Sequence, residues 1–171
     1  MTIFPLLRRK ADEIKIPDLA AQERSRLLRY ACSLLGNRDD AEDAVQDLYI
    51  RLCDRPADEK PRNIQSYLYR SLHNLCTDRL RQRPLRTQPA ELWTNICDEP
   101  PTNNEQELRY VQQLLSTLPP EQAEVIRLRF YGEKSFLEIS TLLNTPLSTV
   151  KSRFRYGMEK LKNGLFHQSR T

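Results

Sequence analysis

Apolar residues recur at intervals of three and four along most of this 171-residue chain. This spacing is typical of helices that bury one face. Proline outnumbers glycine, 11 to 4, and we predict an all-α fold. The pattern predicts helices over residues 18–35, 40–52, 64–82, 105–117, 121–130, 136–143 and 149–165.

Residues that favour helix ends flank several of these segments. Glu138 follows Ser135, and Glu42 follows Asp39, at the spacing of a capping box. Pro120 suits the first turn of the helix that it begins. The other candidate helix-end residues are Gly36, Asn63, Asn144 and Ser148.

The last two predicted helices are joined by a short turn over residues 144–146, Asn-Thr-Pro. Proline disfavours helix at the residue before it, and Ser148 is a candidate N-cap of the second helix. The apolar positions of that helix are Val150, Phe154, Met158, Leu161 and Leu165. Its polar positions include Ser148, Thr149, Lys151, Ser152, Arg153 and Arg155. A short helix, a turn and a basic second helix are typical of a helix-turn-helix, whose second helix enters the DNA major groove. An ordinary helical hairpin with a solvated basic face is the alternative.

A proline-rich segment divides the chain. Residues 84–104 contain four prolines, three acidic residues against one basic residue (Arg86) and no clear periodicity, so they are predicted to be a linker. Residues 1–17 form an N-terminal extension, and 18–83 and 105–171 form two small helical domains.

Charge is distributed unevenly, although the net charge is only +4. Residues 148–171 contain six Lys or Arg and one Glu, and residues 70–86 contain five Arg and one Asp. Residues 39–47 and 88–107 each contain five acidic residues and no basic one. Two basic patches favour two contacts with a polyanion, and the acidic stretches favour a different partner.

The four cysteines do not suggest a metal site or a disulfide framework. Cys32, Cys53, Cys76 and Cys97 are widely spaced and form no Cys-x-x-Cys pair. No signal peptide or stretch of about 20 apolar residues is present, so we expect no membrane insertion and a reduced cytoplasmic location. No metal, cofactor or enzymatic activity is expected.

Two further surfaces carry candidate binding residues. Asp43, Gln46 and Asp47 lie opposite the buried stripe of their helix, although an ordinary solvated face is the alternative. The helix over residues 64–82 carries a second set beside Tyr67 and Tyr69: Arg70, His73, Asn74, Asp78, Arg81 and the trailing Arg83. Guanidinium groups for phosphate, rings for stacking and an amide for base edges suit a single nucleic-acid strand. The alternative is that both tyrosines pack in the core or at the end of the helix.

In three segments the chain resembles the extracytoplasmic-function (ECF) sigma factors of bacterial RNA polymerase. Residues 40–52 resemble the acidic helix that docks on the polymerase, and residues 66–83 resemble the promoter-melting helix. Leu118-Pro-Pro-Glu121 and residues 138–153 resemble the C-terminal helix-turn-helix. The three segments occur in the family's order and are separated by a proline-rich linker.

The resemblance implies a role for each surface. Asp43, Gln46 and Asp47 would face the clamp helices of the polymerase largest subunit. The loop over residues 53–62 and the 64–82 helix would hold the downstream (−10) promoter element. The acidic linker would thread through the polymerase channels, and the polar face of the last helix would meet the upstream (−35) element. The family also implies an inhibitory anti-sigma factor.

Four positions depart from the usual pattern of the family. His73 replaces a common arginine, which predicts a weaker or pH-sensitive strand contact, and Tyr67 replaces a common tryptophan. Ser140 replaces a usual alanine, and Asn144 replaces a usual glycine. Two other functions remain open from the residues alone: a stand-alone helix-turn-helix regulator, and a sigma-like adaptor that does not bind DNA.

Overall fold

A computed structural model describes residues 16–56, 61–82 and 103–168. The described residues form α-helices and no strand, which confirms the predicted all-α fold. The helices are α1 (Ile16–Leu35), α2 (Arg38–Cys53), α3 (Ile64–Gln82), α4 (Asn103–Ser116), α5 (Pro120–Phe130), α6 (Phe136–Leu143) and α7 (Leu147–Gln168). The predicted N-terminal extension and linker lie almost entirely outside the described residues.

Several predicted helix ends are confirmed. Ser135 and Glu138 form both hydrogen bonds of a capping box at the start of α6. Asn144 ends that helix with left-handed backbone at φ 49°. The Asn63 side chain accepts a hydrogen bond from the Ser66 amide at 3.0 Å, and Pro120 occupies the first turn of α5. These ends are set by local chemistry, which is why the sequence predicts them.

Two predicted caps are wrong. Helix α2 is capped by Asn37 rather than Asp39, because the extended backbone of Asn37 lets its side chain accept from the Asp40 amide at 2.8 Å. Helix α7 begins at Leu147, so Ser148 lies inside the first turn instead of capping it. At the start of α2 the sequence offers polar residues at adjacent positions, and only the backbone conformation selects Asn37.

The predicted buried stripes form the core. All five apolar residues predicted for α2 are buried: Ala41, Ala44, Val45, Leu48 and Leu52. On α3, Tyr69 is 2% exposed, so it belongs to the core and does not form part of a stacking surface. Burial also raises the pKa of Tyr69, so its hydroxyl stays protonated and donates a hydrogen bond to Glu23.

The N-terminal and C-terminal helices share one apolar cluster. Leu27 and Leu72 from the first group lie in the same cluster as Leu128, Ile139 and Leu142 from the second. Helix α1 contacts α4 and α5, and α3 contacts α6. Neither hydrophobic periodicity nor the proline-rich segment predicts this contact, because the pairing of two helical faces depends on three-dimensional shape.

Gly36 offers a test of the packing between α1 and α4. It has φ +73°, and a Cβ there would lie 2.0 Å from Gln112 Oε1, whose Nε2 donates to the Leu34 carbonyl. We expect Gly36→Ala to lower the free energy of unfolding by about 1–2 kcal/mol, because a Cβ strains left-handed backbone. Urea denaturation measures this loss. In a Gln112→Ala background the clash with the Gln112 side chain is absent, so Gly36→Ala should lower the free energy of unfolding by less, and the loss that remains comes from the strained backbone. If Gly36→Ala leaves the stability unchanged in both backgrounds, the assignment is contradicted.

Candidate polymerase and nucleic-acid interfaces

The acidic face of α2 lies on the outside of the molecule. Asp43 and Gln46 are exposed, and the Asp47 side chain is 46% exposed. Ile50, one turn beyond Gln46 on the same face, is 51% exposed although it is apolar. Carboxylates repel DNA phosphates, so acidic and amide groups around an exposed apolar side chain suit a basic protein surface better than DNA.

Helix α3 supports part of this acidic face. Asp47 Oδ2 accepts a hydrogen bond from Arg79 Nη2 at 2.6 Å. The ion pair orients the Asp47 carboxylate and offsets part of its charge, so Asp43 carries more of the unbalanced negative charge. Sequence reasoning missed Ile50 and Arg79. The spacing of four residues from Gln46 to Ile50 was the available signal for Ile50.

Three candidate strand-binding residues of α3 border one cavity between α3 and the C-terminal helices. The cavity has a volume of about 230 Å³. Arg70 and Asn74 are exposed, and the His73 side chain is 39% exposed. The residues that line the cavity are Tyr69, Arg70, His73, Asn74, Glu124, Leu128, Leu142 and Leu143. The structure therefore brings these three candidates together, and it also places α5 and α6 beside them.

Polar contacts join this part of α3 to α1, α5 and α6. Arg70 Nε donates to the Leu142 carbonyl at 2.8 Å. His73 Nδ1 lies 3.0 Å from the Tyr30 hydroxyl and 3.3 Å from Glu124 Oε2, and Tyr30 donates to Glu124 Oε1 at 2.5 Å. Glu124 Oε2 is buried and forms no well-aligned hydrogen bond within the described residues, and His73 Nδ1 at 3.3 Å is its ion-pair partner.

The His73 contact predicts a pH dependence. Interaction with Glu124 raises the pKa of His73 above its ordinary value of 6.5, against the opposing effects of burial and Arg127. A raised pKa means that the contribution to stability is complete below pH 6.5 and is lost as pH rises through the higher value in the folded protein. We expect the free energy of unfolding to fall over this window, by less than about 1 kcal/mol because the ring is partly exposed. Thermal unfolding at several pH values should show a flatter profile for His73→Gln, and a rise in wild-type stability would contradict the assignment.

The remaining α3 candidates lie further along the helix. Asp78 and Arg81 face each other at 3.8 Å, with side chains 61% and 77% exposed. Arg81 is thus open to a phosphate, whereas Arg83 lies outside the described residues. The loop after α2 adds a residue that sequence reasoning did not single out: Arg55 lies over the Tyr67 ring, 4.7 Å from its centroid. Tyr67 is half-buried, so it is held between the core and this loop.

Helix α7 presents its predicted polar positions to different degrees. Ser148, Lys151 and Arg155 are exposed, and Thr149, Ser152 and Arg153 are half-buried. Ser152 donates to the Thr149 carbonyl at 2.9 Å, so its hydroxyl has a partner within the helix. The Arg155 guanidinium lies over the Tyr156 ring at 4.9 Å, and Tyr156 is 49% exposed. Tyr156 therefore joins this surface, although it was not among the candidates.

The apolar side of α7 holds it against α5 and α6. Val150 is fully buried and Leu161 is 9% exposed, as predicted, whereas the side chain of Leu165 lies outside the described ones. Gly157 lets α5 approach closely, because a Cβ there would lie 2.8 Å from Ile126 Cδ1. The basic face of α7 is thus fixed to a packed scaffold, as readout of DNA in a groove requires.

The described cysteines are free thiols. Cys32 and Cys76 are buried, and Cys53 is exposed. Burial raises the pKa of Cys76 to about 12, which makes this thiol unreactive. Within residues 16–56, 61–82 and 103–168 no cluster of three or more His, Cys, Asp or Glu could hold a metal ion. In the same residues no helix has the length and apolar character needed to cross a membrane.

Comparison with known proteins assigns both helical groups. Residues 19–84 match the family Sigma-70 region 2, and residues 114–163 match Sigma-70, region 4. The chain is 27% identical over 172 residues to the ECF RNA polymerase sigma factor SigW of Bacillus subtilis, with 92% of each chain covered. The chain belongs to the ECF sigma factors. As such it binds core RNA polymerase and promoter DNA, and it directs promoter-specific initiation of transcription.

Other comparisons agree with this assignment. The sigma factor is 30% identical over 164 residues to the ECF RNA polymerase sigma factor SigE of Mycolicibacterium smegmatis. These residues cover 90% of this chain and 63% of that protein. Its fold is similar to that of CnrH, solved in complex with the cytosolic domain of CnrY. That similarity has a TM-score of 0.68 and 22% identity over 95% of this chain and 94% of the other. The fold is also similar to the sigma factor RpoE of Bartonella quintana, solved with the anti-sigma factor NepR. Here the TM-score is 0.55 and the identity 22%, over 92% and 96% of the two chains.

Proposed function

We propose that the α2 face of Asp43, Gln46, Asp47 and Ile50 is the main contact of this sigma factor with the largest subunit of the polymerase. The observation that carries the proposal is the separation of charge: this acidic face is exposed on α2, whereas exposed basic groups lie at the end of α3 and on α7. Opposite potentials on separate faces let one molecule bind a basic protein surface and DNA together. Ile50 supplies apolar area that can be buried in such a contact.

Helix α7 would read the upstream (−35) element in the major groove. Lys151 and Arg155 are exposed for phosphate or base contacts, and Ser148 and Thr149 lie in the first turn, which enters the groove first. Arg153 is half-buried, so its guanidinium has a narrower range of positions than those of its neighbours. The Ser152 hydroxyl already donates to the Thr149 carbonyl, so Ser152 would contribute to the DNA-binding surface by its place on the helix more than by a hydrogen bond to DNA.

The downstream (−10) element would be opened by differential binding. Arg70, His73 and Asn74 offer donors and an amide on one part of α3, and Arg81 and Arg83 extend the basic track. Binding of the flipped bases offsets an unstacking cost of about a few kcal/mol. The strand would thus be opened by binding energy alone, and no chemical step is assigned to the sigma factor. Arg55 and Tyr67 at the α2–α3 loop provide a cation and a ring where a base could stack.

The two DNA contacts are individually weak and are joined through the polymerase. Linked weak sites gain specificity from high effective concentration rather than from new contacts. We therefore expect little site-specific binding of the isolated chain to duplex promoter DNA. RpoE of Bartonella quintana is solved with an anti-sigma factor, which supports an inhibitory partner of the same kind for this sigma factor. That partner would act on it in the cytoplasm.

Run-off transcription tests the proposal directly. Bacterial core polymerase is supplied with a genomic promoter library, with and without this chain. We expect transcripts from a discrete set of promoters only when the chain is present. Tight footprinting without polymerase would favour a stand-alone regulator. Unchanged function of Arg153→Ala and Asn74→Ala would favour an adaptor that does not bind DNA.

Asn74→Ala separates promoter opening from polymerase binding. Asn74 is exposed on α3, away from the acidic face of α2, so its amide should contact the strand and not the polymerase. We expect open-complex formation to fall by about ten- to 100-fold, the loss of roughly 1–3 kcal/mol for a base-edge contact. Permanganate reactivity measures opening, and titration with core polymerase measures binding. Gln113→Ala, an exposed amide on α4, is the matched control, and equal losses of opening and binding would rule the assignment out.

A further inference from the structure

One arginine on the exposed side of α7 is held in place by the residue that follows it. The Arg155 guanidinium lies over the Tyr156 ring, with Cζ 4.9 Å from the ring centroid, and Arg155 Nη2 donates to the Tyr156 hydroxyl at 3.2 Å. Both side chains are exposed, and among the described residues Arg155 has no acidic partner. The ring and hydroxyl of Tyr156 therefore orient this guanidinium, and its remaining N–H groups stay available to a ligand.

Neighbouring polar groups of α7 lack this combination of properties. Lys151 lies one turn before Arg155 and is exposed, but an ammonium group on a flexible stem acts as a point charge. The Ser152 hydroxyl already donates to the Thr149 carbonyl at 2.9 Å. Of these three side chains, only that of Arg155 is exposed, charged and fixed in orientation.

A fixed guanidinium matters more for reading a base than for binding a phosphate. Phosphate contacts position the protein on the duplex, and a point charge can make them. Guanine instead presents two acceptors, O6 and N7, to the major groove, and arginine binds both with two parallel N–H groups. A side chain that holds the guanidinium in advance reduces the entropy that this contact would otherwise cost.

Arg155 also lies where α7 can carry it into the groove. Ser148, Lys151 and Arg155 follow one another at intervals of three and four residues, so they share one face of the helix. At about 1.5 Å per residue, this face spans roughly 10 Å, less than the major-groove width of about 12 Å. The first turn of α7 and Arg155 can therefore meet the same groove.

We infer that Tyr156 is a positioning residue that determines specificity in the upstream element: it holds the Arg155 guanidinium for a bidentate contact with one guanine. The inference rests on the proposed function, in which α7 reads that element. Tyr156 acts through Arg155 and does not itself touch the DNA, so its contribution disappears when Arg155 is removed.

Four variants of the full chain separate the roles of these two residues. Arg155→Ala removes the guanidinium, and Arg155→Lys keeps the charge without the planar fork. Tyr156→Ala removes the support, and Tyr156→Phe keeps the ring without the hydroxyl. Tyr110→Ala is the matched control, because Tyr110 is 45% exposed on α4 and Tyr156 is 49% exposed on α7. All three positions are exposed, so folding should be retained, and circular dichroism checks this.

Competition binding of the polymerase holoenzyme to a promoter found by run-off transcription measures the effect. Each base pair of the upstream element is changed in turn. We expect the wild type to prefer guanine at one position by about five- to 100-fold, and both Arg155 variants to abolish this preference. Tyr156→Ala should lower it about two- to fivefold, the effect of an exposed cation–π contact, whereas Tyr156→Phe should retain most of it. The salt dependence for Tyr156→Ala should equal that of the wild type, because no charge is removed.

Three results would overturn the inference. A loss for Tyr156→Ala that is equal for every promoter sequence would indicate a phosphate contact or altered packing of α7. A further loss when Tyr156→Ala is added to Arg155→Ala would show that Tyr156 touches the DNA itself, because a residue that acts only through Arg155 then adds nothing. Equal affinities and base preferences for Tyr156→Ala and Tyr110→Ala would show that Tyr156 has no role in readout.

The run-off assay keeps this inference apart from the proposed function. Promoter-specific transcription together with any of the three results leaves the function intact and removes the role of Tyr156. If no promoter is found, the proposed function fails, and the isolated chain is used at low salt to select duplexes from a random-sequence pool. A selected guanine that is lost with Arg155→Ala and weakened with Tyr156→Ala supports the inference, and the absence of such a guanine overturns it.

Discussion

Replacing Lys134 with methionine is expected to lower the free energy of unfolding by about 1–3 kcal/mol. Lys134 Nζ, in the turn between α5 and α6, lies 2.9 Å and 3.0 Å from the two carboxylate oxygens of Glu23 on α1, and both residues are 2% exposed. The substitution removes this cation and leaves Glu23 with Arg26, whose Nη1 lies 3.3 Å from Oε1. Hydrogen bonds from Gln65 and Tyr69 also remain, but neither of those groups carries a positive charge. Chemical denaturation followed by circular dichroism measures the loss. The radius of gyration should also increase. The turn over residues 132–134, between α5 and α6, can then move away from α1, which lets water reach the Glu23 carboxylate.

The double variant Glu23→Gln/Lys134→Met is the control for this result. Removing both charges leaves neutral groups that Gln65 and Tyr69 can still contact, and it should recover more than half of the lost stability. The exposed pair of Arg38 and Glu42 provides a second comparison, since Glu42→Ala should cost no more than about 0.5 kcal/mol. A loss for Lys134→Met as small as that would show that the pair is hydrated in solution.

Reversing the charge of Asp43 is expected to have the largest effect on polymerase binding. Asp43→Lys presents an ammonium group to a surface proposed to be basic, and like charges brought together cost several kcal/mol. We expect an affinity loss of about 2–5 kcal/mol for core polymerase, with folding unchanged because Asp43 is exposed. Asp47→Lys should cost less, because Arg79 already balances part of that carboxylate.

A competition titration against a labelled sigma factor measures these affinities. Glu121→Lys makes the same change in charge at an exposed position on α5, far along the chain from α2, and should bind core polymerase like the wild type. Ile50→Ser should weaken binding without any change in charge, which tests the apolar part of the face. Equal affinities for Asp43→Lys and Glu121→Lys would exclude the acidic face of α2 as the main docking surface.

Local chemistry made much of the fold predictable. Helical periodicity predicted all seven described helices, and the capping box of Ser135 and Glu138 set the start of α6. The error at Asp39 arose where adjacent polar residues competed for one helix end. The candidate binding residues Asp43, Gln46, Lys151 and Arg155 are exposed, as residues opposite an apolar stripe should be.

By itself, the sequence determined the helices, their buried faces, the family and the sign of charge on each surface. These properties repeat every three or four residues or lie within one segment, so they can be read along the chain. The tertiary structure alone decided that Lys134 pairs with Glu23, that Arg79 supports Asp47, and that Arg70 and His73 face α5 and α6. The paired residues lie up to 111 positions apart, and such contacts arise from how whole helix faces fit together, which no local pattern records.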